Sequence, residues 1–276
     1  MKPDTENKSE LLDQLVQAVS QSSKYRNITK ELIRNIGARQ LSKRQELRSA
    51  VKSTKDKLHQ ICGAYFLQKP NYEKILSKLQ DAKESEHEDV YLKTCIEIMQ
   101  THSSTKQRLS ILDEFYTGIF SLLPPVESVI DVACGLHPVA IPWMKLGDDV
   151  RYHAYDVYED LVAFLNRFMR LTNVKGYAEA RDVTQQVPDT KADLAFMLNI
   201  IPCLEQIDRS AAPRLMESLQ ADFLVVSFPV ETLGGRKKDM GEHYEAMFNK
   251  LTREKDWKTK RLDFKAELLF LVEKQP

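Results

Sequence analysis

Apolar residues in the first hundred positions recur at helical spacing. Leu11, Leu12, Leu15, Val16 and Val19 are followed by Ile28, Leu32, Ile33 and Ile36, and residues 71–101 repeat the pattern with Ile75, Leu79, Tyr91, Cys95, Ile98 and Met99. Steps of three and four put these side chains on one stripe of a helix, so residues 1–105 are predicted to form an all-helical domain. Only Gly37 and Gly63 precede Gly118, as helices prefer. Ser104-Thr105-Lys106-Gln107 fits a capping box opening one more helix, through Leu109, Leu112, Phe115, Tyr116, Ile119 and Phe120, which Pro124-Pro125 ends.

From residue 126 the pattern changes. Short apolar runs at 126–132, 152–157, 178–183, 192–201 and 221–229 alternate with helical stretches at 139–146, 158–172, 205–219 and 240–253. Such alternation implies βαβ crossovers and a mostly parallel sheet. Residues 258–273 have room for two strands that could close the sheet as an antiparallel hairpin. Residues 106–276 therefore read as a Rossmann-like α/β domain following the N-terminal all-helical domain.

Open α/β sheets bind ligands at the carboxyl ends of their strands, so what each strand ends on matters. The first runs into Asp131-Val-Ala-Cys-Gly135, where Gly135 lets the backbone approach a ligand. The second ends at Asp156, about 20 residues on, where an acid can accept both hydroxyls of a ribose. The third ends at Asp182, a candidate acceptor for an exocyclic amine such as adenine N6. Gly135-Leu136-His137-Pro138 lacks the G-x-G-x-x-G of a pyrophosphate cradle, so a nucleoside without a pyrophosphate suits the turn better. S-adenosyl-L-methionine (SAM) is such a ligand. Arg108, just before the first strand, could hold its carboxylate.

Charge adds a partner. The chain is neutral overall, yet residues 24–78 hold fourteen Lys/Arg against four Asp/Glu. That excess points to an anionic partner for the helical part. The four cysteines are widely separated and form no C-x-x-C pair, which argues against a zinc site or a disulfide framework and for buried thiols in a cytoplasmic protein. MKPDTENKSE lacks the apolar stretch of a secretory signal, and no run of about 18 apolar residues suggests a spanning helix. No sustained heptad forces a dimer, so a monomer is expected, without metal or membrane.

Several stretches carry a more specific resemblance. Ser23-Lys24-Tyr25, the run Leu58-His59-Gln60-Ile61-Cys62-Gly63-Ala64-Tyr65, His102 through Leu109, Asp131 through Pro138, Ile201 through Glu205, and Ser227-Phe228-Pro229 with Leu233-Gly234-Gly235-Arg236 and Met240 are similar to motifs of the aminoglycoside-resistance 16S rRNA (guanine-N7) methyltransferases. The chain resembles a divergent member of that family. Its pattern differs at Gln107 (Glu in the family), His137 (Asn), Asn199 (Lys), Ile207 (Gln), Asp239 (Gly), His243 (Asn) and Lys265-Ala266-Glu267 (G-N-E).

The resemblance implies a SAM-dependent methyltransferase domain that methylates N7 of guanine 1405 in the decoding site of the 30S subunit, giving aminoglycoside resistance. Its SAM contacts fall on Tyr65, His102, Ser103, Ser104, Arg108, Ala133, Asp156, Asp182, Val183 and Leu198, beside Gly135 of the turn. The helical module becomes the ribosome-docking part, with Lys52, Lys55 and Lys57 as candidate RNA contacts. Arg236, Lys237 and Lys238 are candidate phosphate contacts in the loop 227–240, and Phe228 or Tyr244 is a candidate for stacking on the base. Guanine N7 carries a lone pair and no proton, so no catalytic general base is expected. Two other readings stay open: a methyltransferase for another rRNA site, and a non-catalytic SAM- or RNA-binding homologue.

Overall fold

The computed structural model describes residues 3–44, 46–63, 65–66, 70–230 and 240–274. The chain starts with α1 (Pro3–Ser20), α2 (Lys30–Leu41) and α3 (Leu47–Leu58), and a π-helical turn, His59–Gly63, extends α3. Then come α4 (Tyr72–Glu84), α5 (Glu88–Met99), α6 (Ser103–Arg108), a 3-10 turn at Leu109–Ile111 and α7 (Leu112–Phe120).

The α/β part runs β1 (Ser128–Val132), a 3-10 turn His137–Ala140, α8 (Ile141–Met144), β2 (Arg151–Asp156), α9 (Glu159–Leu171) and β3 (Lys175–Ala180). It continues with β4 (Ala192–Leu198), α10 (Ile201–Ile207), α11 (Ala211–Ser218), β5 (Ala221–Pro229), α12 (Met240–Thr252), β6 (Trp257–Asp263) and β7 (Glu267–Lys274).

The seven strands form one sheet in the order β3-β2-β1-β4-β5-β7-β6. Strands β1 to β5 pair in parallel, while β7 runs antiparallel to β5 and to β6. The order reverses between β1 and β4, which makes that junction the switch point where ligands bind. All five residues of β1 are buried, as expected of a strand covered on both faces. One face packs Val129, Leu194 and Phe196 against α4, α5, α7 and α9, and the other packs Ile130, Ala195 and Met197 against α10, α11 and α12. Edge strand β6 carries exposed Lys258, Lys260, Arg261 and Asp263, charges that discourage further strand pairing.

Four details differ from the sequence expectation. The capping box does not form: His102 is the N-cap of α6 without a side-chain cap bond, and Ser104 lies inside the first turn. The expected single helix to Phe120 breaks at the 3-10 turn. Strand β3 begins at Lys175, three residues earlier than its apolar run, because a sheet edge exposes Lys175, Gly176 and Tyr177 and needs no apolar residue there. The stretch 205–219 is two helices, separated where extended Asp208 accepts bonds from the N–H and hydroxyl of Ser210.

Packing also divides the helical region. Helices α1 to α3 enclose a core of their own around Leu15, Ile28, Ile33 and Leu58, whereas Leu76, Leu79, Cys95 and Ile98 of α4 and α5 join the core beneath the sheet. The self-contained helical unit thus ends near Gly63, and the stretch 71–101 packs as part of the α/β body.

Candidate cofactor cleft and basic helical face

A cleft, partly open to solvent, lies over the carboxyl ends of β1, β2, β3 and β4. Each strand end delivers one piece. After β1, Ala133 and Gly135 take left-handed backbone at φ 51 and 52, and after β4 Asn199 does so at φ 56. Such conformations in residues other than glycine carry strain and cluster at binding sites. They turn the chain sharply out of two adjacent strands at the switch point. A β-carbon on Gly135 would lie 2.7 Å from His102 Cε1, so only glycine lets the turn and that ring share the space.

Asp156 ends β2 and ties the turn together. Its Oδ2 accepts the Gly135 N–H at 2.9 Å, and its Oδ1 accepts those of Val157 and Tyr158 at 2.7 and 3.1 Å. Burial raises its pKa above the usual carboxylate value, against the pull of these three N–H groups. A carboxylate offers about four lone-pair positions, so acceptor capacity toward the cleft is left over. Asp182 lies two residues beyond β3. Its Oδ1 accepts the N–H and hydroxyl of Thr184 at 3.0 and 2.6 Å, and its Oδ2 accepts Asn35 Nδ2 at 3.2 Å.

Asp131 is used differently: it accepts the Tyr152 hydroxyl at 2.8 Å and lies 2.8 Å from His137 Nδ1, all three buried. It braces the turn from beneath.

At the closed end sits a buried polar group. Arg108 Nη2 donates to Glu267 Oε1 at 2.5 Å, with side chains 2% and 0% exposed. Asn199 Nδ2 donates to Ser104 Oγ at 3.0 Å and to the same Glu267 oxygen at 3.2 Å. Arg108 Nε, Asn199 Oδ1 and His102 Nδ1 are buried without a partner among the described residues. An unmet buried polar group costs about 1–3 kcal/mol, so a free donor and a free acceptor at one end of a cleft suit a zwitterionic ligand tail. Carboxylates at the ends of β2 and β3 suit a nucleoside's hydroxyls and amine. Together the residues fit SAM.

Aromatic rings close one side. Tyr65 stacks on His102 with centroids 5.7 Å apart, and Phe66 meets His102 edge-on at 4.9 Å. The Ser103 N–H donates to Tyr65 O at 2.8 Å and fixes that arrangement. Burial and the neighbouring Arg108 lower the His102 pKa to about 3, so the ring is neutral. The Tyr65 hydroxyl lies 2.9 Å from Cys203 Sγ, and burial raises the pKa of both groups.

Of the sequence candidates, Tyr65, His102, Ser104, Arg108, Ala133, Gly135, Asp156, Asp182, Val183 and Leu198 line the cleft together. Ser103 does not, and meets it only through its backbone bond to Tyr65. Phe228 and Tyr244 are corrected: they are buried and stacked on one another at 4.9 Å, so neither presents a face to a base. Arg236, Lys237 and Lys238 lie outside the described residues. Sequence reasoning missed Glu267 as the partner of Arg108, and it missed Asn35, Phe66 and Tyr158 around the cleft.

The basic face is carried by α2 and α3. Arg34 and Arg39 of α2 are ion-paired with Asp13 and Asp208, and Lys78, on α4, with Glu97. Lys52, Lys55 and Lys57 have no acidic side chain within ion-pair distance among the described residues. Lys52 is exposed, while Lys55 and Lys57 are half-buried. Among the described residues no helix is long and apolar enough to cross a membrane.

A doubly wound sheet with a reversed final hairpin, and a cleft at its switch point suited to a nucleoside with an amino-acid tail, define a Rossmann-like SAM-dependent methyltransferase domain. The chain belongs to the FmrO family: the family model described as "Ribosomal RNA methyltransferase (FmrO)" matches residues 21–272. It is 32% identical to a 16S rRNA (guanine(1405)-N(7))-methyltransferase of Micromonospora rosea over 95% of this chain and 97% of that one. A Serratia marcescens protein of the same name is 30% identical over 92% and 94% of the two chains. The crystal structure of the 16S rRNA methyltransferase RmtF in complex with S-adenosyl-L-homocysteine superposes with a TM-score of 0.82, at 27% identity, over 96% of this chain and 99% of that one.

Proposed function

We propose that the protein is a SAM-dependent 16S rRNA (guanine(1405)-N(7))-methyltransferase, the activity that its relatives' names carry, and that it acts on the decoding site of the 30S subunit and confers aminoglycoside resistance. The observation that carries the reading is the composition of the cleft. Leu32, Ile61 and Cys62 of the basic helical unit line the same space as Asp156 and Asp182 of the α/β domain. A cofactor cleft walled by a basic module suits an enzyme whose substrate is a polyanion.

In this reading Asp156 accepts the ribose hydroxyls, Asp182 the adenine amine, and Arg108 binds the carboxylate. Asn199 Oδ1 accepts from the ammonium. Tyr65, His102, Ser104, Ala133, Gly135, Val183 and Leu198 shape the walls, and Ser103 holds Tyr65. Bound SAM supplies a methyl group made electrophilic by its sulfonium. Guanine N7 presents a lone pair without a proton, so the chain's task is to hold the two reactants in line and exclude water. His102, with its pKa at about 3, is too weak a base to collect a proton at neutral pH, which agrees with chemistry by positioning. Lys52, Lys55 and Lys57 bind 16S rRNA in the assembled subunit, and a guanine held in a stack flips out to reach the cleft. The enzyme works as a monomer in the cytoplasm, where ribosomes are.

The test is incubation of the full chain with methyl-labelled SAM and intact 30S subunits, or with naked 16S rRNA. Label in the 16S rRNA of intact subunits is expected. Label in neither substrate would refute the reading.

A further inference from the structure

Asn35 lies in the middle of α2, inside the basic helical unit, yet its amide is directed at the α/β domain. Its Nδ2 donates to Asp182 Oδ2 and to Thr184 Oγ1, each at 3.2 Å. Its Oδ1 accepts Arg39 Nε at 3.3 Å. That last bond decides which way round the amide sits. The Arg39 guanidinium only donates, so it holds the carbonyl oxygen toward itself and leaves the –NH₂ for Asp182. Arg39 is anchored in turn on the end of α10, donating to Ile207 O at 2.7 Å and to Asp208 Oδ2 at 3.0 Å. Leu32, one turn before Asn35, lines the cleft.

Asp182 is almost fully buried, at 3% exposure. Two donors from Thr184 fix Oδ1, whereas Oδ2 has Asn35 as its one protein partner among the described residues. The direction of the free lone pair on Oδ2 is therefore set by Asn35.

We infer that Asn35 is a positioning residue for cofactor recognition: through Asp182 it aims the carboxylate that selects a 6-aminopurine, so the docking module supplies part of the cofactor site. The inference rests on the proposal that Asp182 receives the purine amine. A carboxylate oxygen held by one N–H donor on one side accepts a second from the ligand on the other. A 6-oxo purine would place an acceptor against that acceptor and be rejected. Without Asn35 the carboxylate pivots about Oδ1 and water meets Oδ2, so the two purines become more alike.

The experiment measures affinity of the full chain for S-adenosylhomocysteine and for S-inosylhomocysteine, its 6-oxo analogue, by titration calorimetry. Wild type is expected to favour the adenosyl compound by about tenfold or more, the size of one well-placed buried hydrogen bond. Asn35→Ala is expected to cut that preference to about threefold or less, by weakening the adenosyl compound and leaving the inosyl compound unchanged. Arg39→Met, which frees the amide to turn, is expected to reduce the preference in the same direction, and it serves as second variant should Asn35→Ala not fold. A wild type without preference removes Asp182 from the amine, and the underlying reading falls with the inference. A wild type with the preference, but with both ligands weakened equally in Asn35→Ala or the ratio untouched, overturns the inference alone.

Discussion

Replacing Glu267 with Ala tests whether the closed end of the cleft is built as described. Glu267 is fully buried and is the carboxylate facing the buried Arg108 guanidinium, at 2.5 Å. Its charge raises the Arg108 pKa against the opposite pull of burial. Truncation strands a buried cation and also removes an acceptor from Asn199 Nδ2. Breaking one partner of a buried pair costs about 3–5 kcal/mol. For a chain this size that is a fall in melting temperature of about 6–20 °C, at about 2–4 °C per kcal/mol. The measurement is calorimetric unfolding of the apo protein, with urea titration as a check on cooperativity. Glu267→Gln keeps an acceptor and should lose less. Arg108→Met with Glu267→Leu removes both charges and should recover most of the loss, since an apolar replacement of a whole pair is often neutral. A Glu267→Ala loss below about 1 kcal/mol, or a double variant no more stable than the single one, would show that Glu267 does not hold Arg108 at the closed end of the cleft.

Other outcomes follow from the same geometry. Asp156→Ala should weaken S-adenosylhomocysteine binding by tenfold or more in calorimetry, at about 1.4 kcal/mol per factor of ten, and unchanged affinity would remove the ribose assignment. Gly135→Ala should nearly abolish ligand binding, because the new β-carbon meets the His102 ring at 2.7 Å and the backbone at φ 52 disfavours it. Reversing Lys52, Lys55 and Lys57 to Glu should weaken 30S binding and flatten its salt dependence, leaving cofactor affinity intact. His102 carries a pH signature. Its folded pKa of about 3 lies below the ordinary value of about 6.5, so the unfolded chain binds its proton first. Its contribution to stability is complete above about pH 6.5 and is lost as pH falls toward 3. Urea unfolding of His102→Phe should show a shallower decline between pH 6.5 and 4 than wild type.

The parallel strands were legible in the sequence because central strands buried on both faces appear as predominantly apolar runs, as at Ser128–Val132 and Ala192–Leu198. The acids at Asp156 and Asp182 were legible because strand order alone puts strand ends together at the switch point. What stayed hidden depends on distant registers. Glu267 reaches Arg108 from 159 residues away, through the pairing of β7 with β5. Asn35 gave one faint signal, a polar residue inside the apolar run Leu32, Ile33, Ile36, and only the docking of α2 assigns it a partner. The boundary near Gly63 was hidden because α4 and α5 show the same helical periodicity as α1 to α3 while packing on a different core. Phe228, a stacking candidate from the sequence, is turned into the core by the strand pleat.

The proposed reaction adds one methyl group, to guanine N7 in the decoding site. Its most direct measurement is chemical cleavage at 7-methylguanine in 16S rRNA from 30S subunits treated with enzyme and SAM, read by primer extension. One new scission is expected, at guanine 1405. Scission at another guanine, methylation of an adenine, or an unmodified decoding site would contradict it.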